Sequence, residues 1–195
     1  MRRMALALVM TAVAGLAALT GGARASAADN YTVDGAHTSI SFKIEHMGIS
    51  QVHGRFNKFE GTLAIDKADP GKSSLALTVK TDSVDTGNEA RDKHLRSPDF
   101  FDANQYAEMT FKSTAVKAVK GGYEVEGDFK MHGKTKKIKF ELRGGKEIDA
   151  QGGGKRIGFI TDLTLKRSDF AMVDKMPGAL GDEVYVSIGL EATRK

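Results

Sequence analysis

Cysteine and tryptophan are both missing from this chain, and tyrosine appears only four times in 195 residues. Without a thiol there is no disulfide, no cysteine nucleophile, no zinc site of the Cys type and no lipid anchor on an N-terminal Cys. Single-stranded nucleic acids are gripped by aromatic platforms set among basic groups, and that stacking surface is sparse. Two catalytic signatures are lacking as well. Gly152-Gly153-Gly154-Lys155 has neither the leading Gly nor the following Ser or Thr of a P-loop, and no G-x-S-x-G elbow occurs.

What is present begins with a leader-like N-terminus. Met1-Arg2-Arg3 is a short basic start, Met4 to Thr20 carries no charge, and Ala25-Ser26-Ala27 offers the small-x-small pattern that signal peptidase cuts. The uncharged run falls short of the about 20 apolar residues that span a bilayer. Residues 1–27 therefore read as a cleaved secretory signal peptide and residues 28–195 as one domain of an exported protein. Cleavage removes three arginines and no acid, so 29 basic residues become 26 against 25 acidic ones and the formal charge falls from +4 to +1. A nucleic-acid partner wants a strongly basic domain, so none is expected.

From Ser39 onward the apolar residues recur with period two, which places alternate side chains on opposite faces of a strand. Ile40, Phe42 and Ile44 share one face of the first clear run. The same alternation runs through Leu75, Leu77 and Val79; Tyr123, Val125, Phe129 and Met131; Ile138, Phe140 and Leu142; Ile157, Phe159, Leu163 and Leu165; and Val184, Val186, Ile188 and Leu190. Asp69-Pro70-Gly71, Lys120-Gly121-Gly122, Met131-His132-Gly133-Lys134 and the Gly-rich stretch 144–154 punctuate these runs as turns. Short turns between amphipathic strands make antiparallel neighbours. Such strands either stack as a sandwich or close as a barrel, and closure removes exposed edges. The expectation is an all-β, up-and-down antiparallel barrel of about eight strands, a size whose interior is either filled by side chains or wide enough for one small ligand.

One segment, Gly87 to Asp102, breaks the pattern. Asn88 suits an N-cap, Glu89 places an acid in the first turn, and Pro98 stops the run, so a short helix is predicted here. Glu89 with Lys93 and Asp92 with Arg96 are acid–base pairs four apart, the spacing of neighbours on a helix surface. Asp92 and His94, two apart, diverge and make a poor dyad or metal pair. His37, His46, His53 and His132 lie around strand ends and turns. A barrel could bring three of them to one metal, but polar trim at its ends is the simpler reading, and no metal site is expected. Lys134, Lys136, Lys137 and Lys139 read as a solvated strand edge that deters aggregation.

Six segments then resemble, in order, the signature segments of the YceI-like family: HTSISFKIEHMGISQVHGRF (37–56), RDKHLRSPDFFD (91–102), MTFKST (109–114), GDFKMHGKTKKIKF (127–140), LKRSDFAM (165–172) and GDEVYVSIGLEA (181–192). The chain departs from the family pattern at Ala107, Lys134, Lys137 and Ala171. The resemblance implies an eight-stranded lipocalin-like barrel, covered on one side by a short helical segment and exported to the bacterial periplasm. It also implies a long amphiphile, a polyprenyl or isoprenoid quinone, held inside. Transport, storage and sequestration all fit.

Alternation then nominates Ile40, Phe42, Ile44, Phe111, Phe129, Phe140, Phe159 and Leu163 as the apolar lining; Phe100 and Phe101, just past the predicted helix, are expected to face inward with them, and Arg91, His94 and Lys134 are candidate head-group contacts. No catalytic residue and no cofactor is expected beyond the bound amphiphile itself. Each buried CH₂ contributes about 0.8 kcal/mol, so ten give about 8 kcal/mol gross before the cost of association. Two alternatives stay open: a barrel enzyme acting on a lipophilic substrate, and a structural or partner-binding protein, a homodimer for instance, whose interior its own side chains fill.

Overall fold

The computed structural model describes residues 28–172 and 178–195. The signal-peptide expectation for 1–27 lies outside them. Eleven strands appear among the described residues: β1 (Asp29–Val33), β2 (Ser39–His46), β3 (Ser50–Phe56), β4 (Phe59–Ile65), β5 (Ser74–Lys80), β6 (Val84–Asp85), β7 (Glu108–Val119), β8 (Gly122–Met131), β9 (Lys134–Asp149), β10 (Lys155–Lys166) and β11 (Leu180–Arg194).

They make eight staves. β1 and β2 both run along β11, Val33 opposite Ala192 and Ile40 opposite Ile188. Likewise β4 pairs with β1 and β3 with β2. So β1 with β2, and β3 with β4, each form one long strand bent in the middle, and β5 along β4 is continued by β6 along β3. The sheet then continues β4–β5–β7–β8–β9–β10–β11, antiparallel throughout, and the β1–β11 pairing closes it. The expected eight-stranded antiparallel barrel is the observed fold.

Turn chemistry sets the register. His132 and Gly133 both take positive φ, +48° and +71°, between Met131 and Lys134, which face each other across β8 and β9. That is the demand of a two-residue hairpin turn whose twist matches its strands. The Gly-rich stretch 144–154 is only partly a turn. β9 continues through Gly144 and Gly145 to Asp149, with the register against β10 shifting between Gly158 and Phe159. Glycines at φ +115° and +90° let the chain bulge there without leaving the sheet.

The predicted helix is α1 (Glu89–Leu95), N-capped by Asn88, whose side-chain oxygen accepts from the Arg91 amide at 3.0 Å. Its charges are not all solvated. Asp92 is only 7 % exposed and turns its carboxylate inward. Asp92 Oδ1 accepts from the Thr86 amide at 2.9 Å and from the Thr86 hydroxyl at 2.6 Å, in place of an ion pair with Arg96. Arg91 donates from Nε to Thr86 Oγ1 and from a terminal nitrogen to Thr86 O. The helix is thus fastened to the chain directly after β6, which itself pairs with β3. Asp85 secures that junction by accepting from Arg55, Asn57 and the Gly87 amide. Those bonds, the one from Asn57 foremost, hold its carboxyl down at about 2.

The core lies in two layers. One layer, toward one end of the barrel, is Tyr31, Leu63, Ile65, Val125, Ile157, Phe159, Leu190 and Ala192 with their neighbours. The other gathers Ile40, Phe56, Val79, Val84, Met109, Met131, Phe170 and Met172 around the foot of α1, with Phe100 and Phe101 packed against it. No helix of the described residues is long and apolar enough to cross a membrane.

Candidate functional site

Above the first of these layers, and walled in part by the second, the barrel is hollow. A cavity of about 440 Å³ follows its axis, inside the range of about 300–1,000 Å³ that small-molecule sites occupy. Strand pairing places its wall in rows. Leu165, Val184, Ile44 and Val52 face one another across β10, β11, β2 and β3, and beneath them come Leu163, Val186, Phe42 and Gly54. The next row is Thr161, Ile188, Ile40 and Phe56. Below it, Phe159 opposite Leu190 closes the floor. Burial follows depth: along β10, Leu165 and Leu163 are half-buried, whereas Thr161 and Phe159 are sealed.

Residues nominated from the sequence fall on this wall with two exceptions. Ile40, Phe42, Ile44, Phe100, Phe101, Phe111, Phe129, Phe140 and Leu163 all line the cavity, as do Arg91 and His94. Phe159 does not. It sits one row too deep, packed on Tyr123 with ring centroids 6.1 Å apart, and serves as floor. Lys134 does not either, because it occupies the outer end of the β8–β9 hairpin, exposed. Its neighbours Lys137 and Lys139 pair with acids on β8, Lys137 with Glu126 and Asp128 and Lys139 with Glu124.

Six polar residues reach the wall: His46, Thr86, Arg91, His94, Thr161 and Arg167. Sequence reading passed over Thr161 and Arg167, although both are in phase with Leu163 and Leu165. Arg167 is 7 % exposed, and its guanidinium donates to the carbonyls of Gly181, Leu180 and Met172. A buried cation is tolerable when its donors are satisfied this way. His94 Nε2 lies 3.2 Å from Asp99 Oδ2, and its ring stands edge-on to Phe100 at 4.9 Å. The other histidines do not converge. His37 bonds Asp34, and His132 meets the Phe170 carbonyl and stands edge-on to Tyr106. Among the described residues the one group with metal-ligand spacing is Asp34, His37 and Glu191. Arg156 already bridges all three of them at 3.1 Å or less.

Beyond the floor, Tyr31 donates its phenol proton to Glu147. Burial, together with that carboxylate, pushes the Tyr31 phenol up to about 12. The hydrogen bond in turn holds Glu147 below the usual carboxylate range. Lys67 and Arg194 flank the pair.

The same barrel occurs in known proteins. A UPF0312 protein of Vibrio cholerae is 42% identical over 179 residues, 90% of this chain and 92% of that one. The crystal structure of BcnA from Burkholderia cenocepacia superposes with a TM-score of 0.73 at 27% identity, over 83% of this chain and 99% of the other. A polyisoprenoid-binding domain from Saccharophagus degradans shares the fold at a TM-score of 0.60 and 16% identity, covering 87% of this chain and 100% of that domain. The family model for the YceI-like domain matches residues 31–192, so the chain belongs to the YceI-like family.

Proposed function

We propose that this chain is an exported carrier that holds one long isoprenoid amphiphile, of the polyprenyl or isoprenoid-quinone type, in the barrel for transport, storage or sequestration. The observation that carries the reading is the hollow itself. Protein interiors are packed to crystal density with few voids larger than a water molecule, and a cavity of about 440 Å³ walled by Leu, Ile, Val, Met and Phe is a standing defect unless something apolar occupies it. The polyisoprenoid-binding domain of the same fold points to the ligand class.

Rebinding tests this. Leu163→Trp projects an indole into the middle row of the wall. The delipidated wild type is expected to take up one equivalent of a long-chain isoprenoid in a calorimetric titration, and the variant to lose most of that uptake while keeping its fold. Equal uptake by both would overturn the reading.

The His94–Asp99 contact beside the wall favours a second reading, an enzyme acting on a lipophilic substrate. In that case turnover follows one histidine titration and disappears in His94→Gln. The carrier reading instead expects His94→Gln to bind its ligand within a few-fold of wild type.

A further inference from the structure

Thr161 is out of character with its surroundings. It stands in the lowest open row of the wall, with Ile188 opposite it on β11, Ile40 beyond that on β2 and Phe56 beyond that on β3. Only 2 % of the residue is exposed, and its Oγ1 is buried with no hydrogen-bond partner among the described residues. The cationic groups of the wall are engaged or distant: Arg91 is bonded to Thr86, Arg167 to three backbone carbonyls and His94 to Asp99, and His46 stands beyond Ile44 at the outer end of β2, three rows above Thr161. A buried hydroxyl left unpaired costs about 1–3 kcal/mol, and valine would fill the same volume without that cost.

We infer that Thr161 is the hydrogen-bonding subsite for an oxygen-bearing end of the ligand, so that the amphiphile enters polar end first and trails its hydrocarbon toward the half-buried upper rows. The inference rests on the carrier reading and deepens it by naming the ligand's inner terminus. That terminus is a neutral oxygen function, a carbonyl, ether or hydroxyl. A phosphate is excluded by its charge, because the row offers it one hydroxyl among apolar side chains and no free cation, and an unpaired ion in such a place is far too costly. A plain hydrocarbon end is disfavoured because it leaves Oγ1 unpaired. The polar end thus lies at the floor, and not against Arg91 and His94 as sequence alone placed it.

The test uses the full delipidated chain with two probes: a short-chain ubiquinone, which carries ring carbonyls, and squalene, an isoprenoid hydrocarbon without oxygen. Thr161→Val removes the hydroxyl at constant shape, and Thr161→Ser keeps it. Expected are a weakening of ubiquinone binding by about ten-fold in Thr161→Val, squalene binding that holds or tightens, and a ubiquinone affinity in Thr161→Ser close to wild type. The infrared carbonyl band of bound ubiquinone should shift in wild type and Thr161→Ser and stay unshifted in Thr161→Val. If Thr161→Val alters both probes equally or neither, the subsite is refuted while the carrier stands. If wild type binds neither probe, the carrier reading falls and the subsite falls with it.

Discussion

Gly54 lies directly beneath the ring of Phe42: a Cβ built on Gly54 would come within 2.4 Å of the Phe42 ring tip and within 2.9 Å of the Thr86 methyl. The two residues are paired across β2 and β3 in the middle row of the cavity wall. Absence of a side chain at one position is what leaves room for the tip of a large ring from the other. The volume of the cavity is set partly by a glycine.

Gly54→Ala should therefore force the Phe42 ring out of its berth. Overpacking of this kind costs about 1–3 kcal/mol, read as a lower Tm, and long ligands should bind several-fold more weakly. Adding Phe42→Leu shortens the obstructing side chain and should restore much of both losses. If Gly54→Ala binds and melts like wild type, Phe42 does not shape the wall.

The anchor of α1 offers a second handle. Asp92 is the buried acceptor for both the amide and the hydroxyl of Thr86. Asp92→Ala leaves both donors without their partner, at about 1–3 kcal/mol. Hydrogen exchange across Glu89–Leu95 should quicken, and the ligand should leave several-fold faster with little change in its on-rate. Unchanged exchange in the helix would show that other contacts hold it.

The Tyr31–Glu147 bond predicts how stability responds to pH. An unfolded tyrosine ionises near 10, whereas Tyr31 holds its proton to about 12, so its contribution is complete below pH 10 and is lost as the pH climbs from there to about 12. Glu147 and Asp85 act at the other limb: both are depressed in the fold, Asp85 to about 2. Their contribution is present above the unfolded carboxylate range and disappears as acid takes the pH below it. In Tyr31→Phe the alkaline fall in Tm should flatten, so that the gap from wild type, constant at about pH 7 to 9, narrows above pH 10. A gap that does not change with pH would contradict the assignment.

How much of this was legible in the chain depends on which force is at work. Period-two patterning reflects a sheet with one dry face, so the strands of Ile40, Phe42 and Ile44, of Ile138 and Phe140, and of Val184 to Leu190 could be read directly. The His132-Gly133 turn and the Asn88 cap are local chemistry and were equally plain. Depth is not local. Alternation tells that Phe159 points inward but not that it belongs to the row where the barrel is already filled, because that depends on Tyr123 and Leu190 from distant strands. Lys134 misled through charge alone, lying at a hairpin tip outside the wall. Thr161 and Arg167 were passed over for the opposite reason: a search for apolar residues steps across polar ones that share their phase. Asp92 shows the limit of spacing rules, since its partner is Thr86 on the preceding strand end and not Arg96 one turn on. Ala171 adopts φ +54° at the end of the short 3₁₀ turn Arg167–Phe170, a left-handed conformation that glycine takes most easily and that alternation does not foretell.

The central claim is that the barrel exists to enclose a guest, and the most direct measurement is the lipid content of the protein as its cell makes it. Protein purified without detergent and extracted with organic solvent should release close to one isoprenoid amphiphile per chain by quantitative mass spectrometry, and native mass spectrometry of the same preparation should show the intact complex at the matching mass. Repeated preparations that yield lipid-free extracts and a bare polypeptide mass would contradict the account.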